Sequence, residues 1–302
     1  MRKGTRGTDD VMWSSTLYSI ILAATSLALA GCDGGGAYGV ASPRPPPVTP
    51  TPTPTPAGPP PIIPGATTSQ QFAVAGSTHS YAGIQAPRLD AAEQLQVRYV
   101  QSTNSYEVQL PHTEAWSGIS FATPGCGCEG YGGDTAFMSL RSKGYQYSRL
   151  TDWSDAFMTN HGYEAVGLAT PAGGVPVTGT ASYSGEVEGQ TSEFSNGPTL
   201  YGAIQLSFDF GAGNLSGSIV PYLVPTDYPI RLAALGFRDT VYSTGSTTFS
   251  GEFDTTLSGI NRFSGLFTGP HAEELIGNFA FPYRSPTDGL TYQADGAFVG
   301  KK

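Results

Sequence analysis

From about residue 178 to residue 302, bulky apolar and small polar residues alternate, with a glycine set between successive bulky positions. The motif large–x–Gly–x–large occurs in Tyr183-Ser184-Gly185-Glu186-Val187 and Leu215-Ser216-Gly217-Ser218-Ile219. It returns in Phe249-Ser250-Gly251-Glu252-Phe253 and Phe263-Ser264-Gly265-Leu266-Phe267. Weaker copies are Leu275-Ile276-Gly277-Asn278-Phe279 and Ala294-Asp295-Gly296-Ala297-Phe298. In a β-strand, residues i, i+2 and i+4 share a face, so one face reads bulky, empty, bulky. The empty position accepts an aromatic ring from a neighbouring strand and lets the strand bend, as a small closed barrel requires.

The other face carries Ser184, Glu186, Ser216, Ser218, Ser250, Glu252, Ser264, Asn278 and Asp295. That alternation predicts an apolar interior and a wet exterior, the reverse of a membrane-spanning barrel. An open sandwich would share it. Eight strands are expected, over residues 178–188, 200–210, 214–224, 230–242, 246–254, 261–268, 274–281 and 290–299. They are separated by turn sequences at Asn196-Gly197-Pro198, Gly211-Ala212-Gly213, Pro225-Thr226-Asp227, Ser243-Thr244-Gly245 and Ser285 to Gly289. A single helical turn is expected over residues 269–274. The predicted class is all-β, an eight-stranded antiparallel up-and-down β-barrel over residues 176–302 preceded by a small antiparallel sheet over 66–175.

Residues 66–175 show strand-like runs at 70–75, 95–100, 106–110, 145–151 and 163–169, and a short helix is expected over 135–143, capped by Asp134. Upstream the pattern changes. Between Pro43 and Pro64, twelve of the 22 residues are proline, which excludes helix and interior strand and favours polyproline II. At about 3.1 Å per residue this stalk, within residues 32–65, spans roughly 70 Å. Before it, Arg2, Lys3 and Arg6 precede an apolar run from Leu17 to Ala30, a secretion signal over residues 1–31.

Three cysteines sharpen this picture: Cys32, Cys126 and Cys128. Leu29-Ala30-Gly31-Cys32 resembles the lipobox of bacterial lipoproteins, which makes Cys32 the expected lipidation site. Ala28-Leu29-Ala30 also fits an ordinary cleavage site. Cys126 and Cys128 are a candidate disulfide outside the cytoplasm, closing a small strained loop, or a partial thiolate metal site. The whole chain has 15 basic and 24 acidic residues, net −9. Such a surface repels phosphate backbones and excludes nucleic acid as the expected partner.

The letters of Gly125-x-Gly127-x-x-Gly130 match a dinucleotide fingerprint but follow no clear strand. No H-E-x-x-H and no G-x-S-x-G occurs. Glu273 and Glu274 read as a solvated face. No catalytic residues and no resident cofactor are expected, and the chain is read as a binding protein rather than an enzyme. His112 and His161 are candidate haem or metal ligands.

The order Gly179-x-Ala181-x-Tyr183-x-Gly185, then Asp209-Phe210-Gly211-Ala212-Gly213-Asn214-Leu215-Ser216-Gly217, resembles the barrel domain of the transferrin-binding protein B family. So do Phe263-Ser264-Gly265-x-Phe267-x-Gly269-Pro270-x-Ala272-x-Glu274-x-x-Gly277 and Gly296-Ala297-Phe298-Val299-Gly300-Lys301. The resemblance covers residues 178–302. It implies a lipid anchor at the outer membrane, exposure at the cell surface, and capture of a protein or nutrient-carrying ligand for iron or haem acquisition. It also implies an outer-membrane transporter as a candidate partner. In that family a handle sheet precedes each barrel, and only one such unit fits this chain, which puts transferrin itself in question. Direct haem or small-ligand binding and a structural envelope role are the alternatives. The periplasmic face remains open, and Asp33 leaves the inner membrane open. The family's ligand-contacting loops transfer no motif.

Overall fold

The computed structural model describes residues 68–80, 87, 89, 93–111, 113–119, 136–141, 144–155, 159–193, 199–224 and 228–302. Strands β9 (Thr180–Thr191), β10 (Thr199–Asp209), β11 (Asn214–Val224), β12 (Ile230–Arg231) and β13 (Leu235–Val241) open the barrel. Strands β14 (Thr248–Phe253), β15 (Arg262–Thr268), β16 (Glu274–Arg284) and β17 (Thr291–Lys301) complete it. Each pairs antiparallel with the next, and β17 returns to β9 with Phe298 opposite Val187. β12 and β13 both pair with β11 and together fill one position, so the closed sheet has eight strand positions.

The interior is filled rather than hollow. Tyr183, Val187, Ile219, Phe253, Phe263, Phe267, Phe279, Phe281 and Phe298 are all buried in one cluster. Phe208 lies at its centre, 4.9–5.9 Å from the rings of Tyr183, Phe210, Tyr242, Phe249 and Phe267. The glycines do what the alternation requires. Gly251 sits directly opposite Phe263, Gly265 opposite Phe249, and Gly277 opposite Phe298. In each pair the ring lies in the space a Cβ would occupy; at Gly251 that atom would be 2.6 Å from Phe263 Cζ.

Before the barrel come β1 (Gln70–Gln71), β2 (Ala73–Ser80), β3 (Gln96–Val100), β4 (Ser105–Gln109), β5 (Ser117–Ile119), β6 (Ala136–Arg141), β7 (Ser148–Asp155) and β8 (Asn160–Gly167). They form two antiparallel sheets, β1-β3-β4-β5 and β2-β8-β7-β6. The second sheet is sandwiched. Val166 and Trp153 point to the first sheet, against Phe72, Leu95, Val97, Tyr106 and Val108. Ala75, Leu150 and Ala165 point to the barrel, against Ile276, Ala297 and Val299. β16 is therefore buried along both faces.

Four expectations are corrected. Residues 136–141 are a strand paired with β7, not a helix. A helix of that length is marginal without tertiary support, while the open edge of β7 offers every backbone group a partner. Residues 269–272 form turns, not a helical turn. Gly269 (φ 85°) and Ala272 (φ 58°) are left-handed, and Tyr183 Oη donates to the Ala272 carbonyl at 2.6 Å. The strand expected over 230–242 is broken at residues 232–234, where Leu232 turns inward and its N–H reaches the Pro221 carbonyl. A bulge follows at Asp239, φ 46°. Finally, the barrel exterior is not uniformly wet: Asn278 and Asp295 are 7% and 3% exposed, because the second sheet covers that flank. Among the described residues there is no α-helix.

Candidate binding surface

Because aromatic rings fill the barrel, the surfaces left for a partner lie outside it. One described depression is a groove between the edge of β2 and strands β13 to β15. Its first part, about 490 Å³, is floored by Ser250, Ser264, Thr248 and Asn278, with Leu89, Gln94, Val241 and Ser243 around them. A second part, about 400 Å³, continues along the same floor toward Glu252, Arg262 and Asp239. Side chains expected on a plain solvated face thus become the base of a groove. Val241, 63% exposed, stands at its rim. Beyond the groove, Val177, Tyr228 and Leu290 are exposed on the chain segments flanking the strands.

The groove wall is built by amide side chains. Gln94 Nε2 donates to the carbonyls of Gly76 and Leu89, both at 3.0 Å. Asn278 Nδ2 reaches the same two carbonyls at 3.3 Å while its Oδ1 accepts from Ser264 Oγ at 2.8 Å. The edge of β2 is thereby tied to β16. One end of the groove is neutral and hydroxyl-rich. The other carries the Arg238–Glu252 ion pair at 2.9 Å.

A second polar cluster lies under the docked sheet. His79 and His161 are directly opposite each other on β2 and β8. Asp295 and Gln190 are directly opposite on β17 and β9. His79 Nε2 donates to Asp295 Oδ1 and His161 Nε2 to Gln190 Oε1, each at 2.5 Å. Burial lowers the pKa of His161 below the ordinary histidine value, with His79 adding to the effect; the bond to Gln190 and the charges of Asp295 and Asp155 act against it.

The most perturbed carboxyl, Glu164 on β8, is fully buried between the two preceding sheets. Burial pushes its pKa up to about 8, although Leu95 N, Trp153 Nε1 and Thr78 Oγ1 all donate to its Oε1. Sealed from solvent, it serves packing and not a surface reaction.

Of the residues singled out from sequence, Cys32, Cys126, Cys128 and His112 lie outside the described residues. His161 is placed in the cluster above. His79, Asp295 and Gln190 were not singled out, nor were Gln94 and Asn278 as groove residues. The sequence held one signal for the first pair: in a β2–β8 hairpin-like pairing, two histidines in outward register face one covering surface. Nothing linear connects His79 to a carboxylate 216 positions away.

Residues 175–302 match the family model described as the C-lobe and N-lobe beta barrels of Tf-binding protein B. Among solved structures, a transferrin-binding protein B double mutant from Haemophilus parasuis Hp5 is 16% identical, with 76% of this chain and 44% of that chain covered and a TM-score of 0.43. The isotype 1 protein from serogroup B Neisseria meningitidis is 15% identical, covering 76% and 43%, with a TM-score of 0.42. A mutant of the protein from Actinobacillus pleuropneumoniae H49 is 13% identical, covering 76% and 99%, with a TM-score of 0.36. The chain thus spans less than half the length of the first two. No curated protein matches it.

Proposed function

We propose that this chain, whose residues 175–302 form a transferrin-binding-protein-B-type barrel, is a surface lipoprotein that captures a protein or nutrient-carrying ligand in iron or haem acquisition. In this reading Cys32 carries the lipid anchor in the outer membrane. The proline-rich segment from Pro43 to Pro64 holds the folded part away from the bilayer, and an outer-membrane transporter receives the cargo. The observation that carries the reading is the family match over the complete closed barrel. The filled core supports it further: with Phe208 and its neighbours packed in the centre, a ligand is met by the outer surface, as a protein-sized partner would be. The groove along β14 and β15, with its neutral and charged ends, is the assigned contact surface.

Two measurements test this. Protease shaving of intact cells is expected to remove the folded part; full protection would place it inside the envelope and sink the surface assignment. The lipid-free protein from residue 33 onward, immobilised, is expected to retain an iron- or haem-carrying protein. Replacing Ser250 and Ser264 by arginine is expected to weaken that capture about 30-fold, the effect of losing an interaction of roughly 2 kcal/mol. Undiminished capture by the double variant would move the contact surface elsewhere. Absence of any captured carrier would remove the acquisition role.

A further inference from the structure

The geometry points to a small-ligand site in the barrel wall: an apolar cleft between β12 and the end of β16 that takes a short unbranched acyl chain and holds its carboxylate at Arg284. The cleft is separate from the groove along β14 and β15, and its ligand is independent of whether that groove meets a protein.

The cleft exists because the ladder around the barrel is incomplete at this end. β15 pairs with β16 only as far as Ala280, while β16 runs on to Arg284 with β17 alone beside it. The β13–β14 ladder stops at Phe237 and Phe253, and β12 meets β11 through two residues. Residues 254–261 cross the gap without forming a strand. Two side-chain amides stand in for the missing ladder. Asn261 Oδ1 accepts from Phe253 N and its Nδ2 donates to the Phe253 carbonyl. Gln293 makes the same pair of bonds with Ile260. Between this crossing segment, β12 and β16 there remains a cleft of about 240 Å³.

Its lining selects the ligand. Pro221, Leu232, Leu235, Leu257 and Phe281 make the walls apolar. Phe281 and Tyr283 belong to the barrel core, and Pro282 and Arg284 alternate with them on the outward side of β16. Both sets line the cleft, so it runs from core to surface through the wall. A chain lying in it meets apolar side chains at its inner end and a guanidinium at its outer end. Arg284 Nη1 donates to the Gly289 carbonyl at 2.8 Å, which leaves the other N–H donors of the fork for a ligand. The nearby carboxylates are engaged elsewhere. Glu193 accepts from the Tyr283 and Ser285 hydroxyls, and Asp288 from Leu290 N and the Tyr292 hydroxyl. In a chain of net charge −9, a guanidinium without a carboxylate partner at an apolar opening favours an anionic head. Leu290, 59% exposed, lies on the turn that Arg284 holds and extends the apolar rim. The volume falls below the roughly 300–1,000 Å³ of pockets that enclose drug-sized ligands, so the cleft is too small for a porphyrin and suits a short chain.

The test is a titration of the isotope-labelled full chain carrying Cys32→Ala, free of detergent, with hexanoate, octanoate and decanoate below their micelle-forming concentrations. Amide chemical shifts are the readout. Saturable shifts are expected at residues 232–235, 255–259 and 281–284, with residues 248–251 of the groove unmoved. Affinity is expected to rise about 4-fold for each further CH2 that the cleft buries and to level off once the chain outgrows it. Arg284→Gln, at an exposed position, is expected to weaken octanoate about 10-fold and to leave octanol unchanged. Ala233→Phe places a ring at the exposed edge of the cleft and is expected to abolish the saturable shifts with the far-ultraviolet spectrum preserved. Absence of saturable shifts with all three chains would overturn the site, as would shifts scattered over the whole surface. So would an affinity indifferent to chain length, or octanoate bound equally well by Arg284→Gln.

Discussion

Glu164 is the described carboxyl whose chemistry departs furthest from its exposed form. Three donors converge on its Oε1, yet desolvation dominates and raises its pKa to about 8, so it is a neutral acid at pH 7. In the unfolded chain the same group ionises near 4.5. Between about pH 4.5 and 8 the folded state holds a proton that the unfolded state has lost, so stability falls as the pH rises through this window and levels off above it. Glu164→Gln keeps the shape and an acceptor without the titration. It is expected to be more stable than the wild type at pH 8.5, on the order of a few kcal/mol, and indistinguishable at pH 4.5. Urea unfolding at the two pH values measures this; parallel pH profiles of variant and wild type would contradict it. The polar character of residue 164 was plain in the sequence. Its burial was not, because alternation along β8 says which face a residue takes, not whether another sheet covers that face.

At the scale of strands, the recurring glycines carry the closure of the barrel. A Cβ at Gly265 would meet the Phe249 ring and stand 2.6 Å from the Ile276 carbonyl oxygen, which belongs to backbone and cannot swing aside. Gly265→Ala is expected to destabilise by about 1–3 kcal/mol, a fall in melting temperature of roughly 2–12 °C. Gly118→Ala, where a Cβ meets nothing within 4 Å, is expected to stay within about 0.5 kcal/mol of the wild type. Equal melting temperatures for the two variants would refute the packing role. Strand positions and face assignments in the barrel were legible because a period of two survives any arrangement of neighbours. The interruption of the fourth strand at Leu232 was not, since it answers to Pro221 on the partner strand. The strand at residues 136–141 was mistaken for helix because six residues carry too little period to decide, and the free edge of β7 decided instead.

For the whole molecule, the proposed anchor at Cys32 and the barrel of residues 175–302 lie far apart in the sequence. Cys32 precedes the described strands by the entire proline-rich stretch of the sequence. Cys32→Ala is therefore expected to leave the melting curve of the folded part unchanged while abolishing incorporation of radiolabelled palmitate and moving the protein from the membrane to the soluble fraction. Retention of label in the variant would remove the anchor assignment. The β2-β8-β7-β6 sheet covers one flank of the barrel and leaves the groove along β14 and β15 at its border, so the covering layer and the candidate contact surface arise from the same docking.

Taken alone, the chain determined its all-β class, the strand order of the barrel and the direction of barrel side chains outside the interrupted fourth strand, because alternation and turn residues act over neighbours a few positions apart. It also dictated the glycine–phenylalanine complementarity, since a missing Cβ and a large ring are both written in the letters. Only the tertiary structure decided which outward residues are wet. Asn278 and Asp295 are polar residues on an outward face like Ser184, and they are buried because a sheet whose edge strand β2 lies some two hundred residues earlier closes over them. Burial, the groove and the histidine cluster are properties of that long-range contact, and no local pattern encodes a partner so far away along the chain.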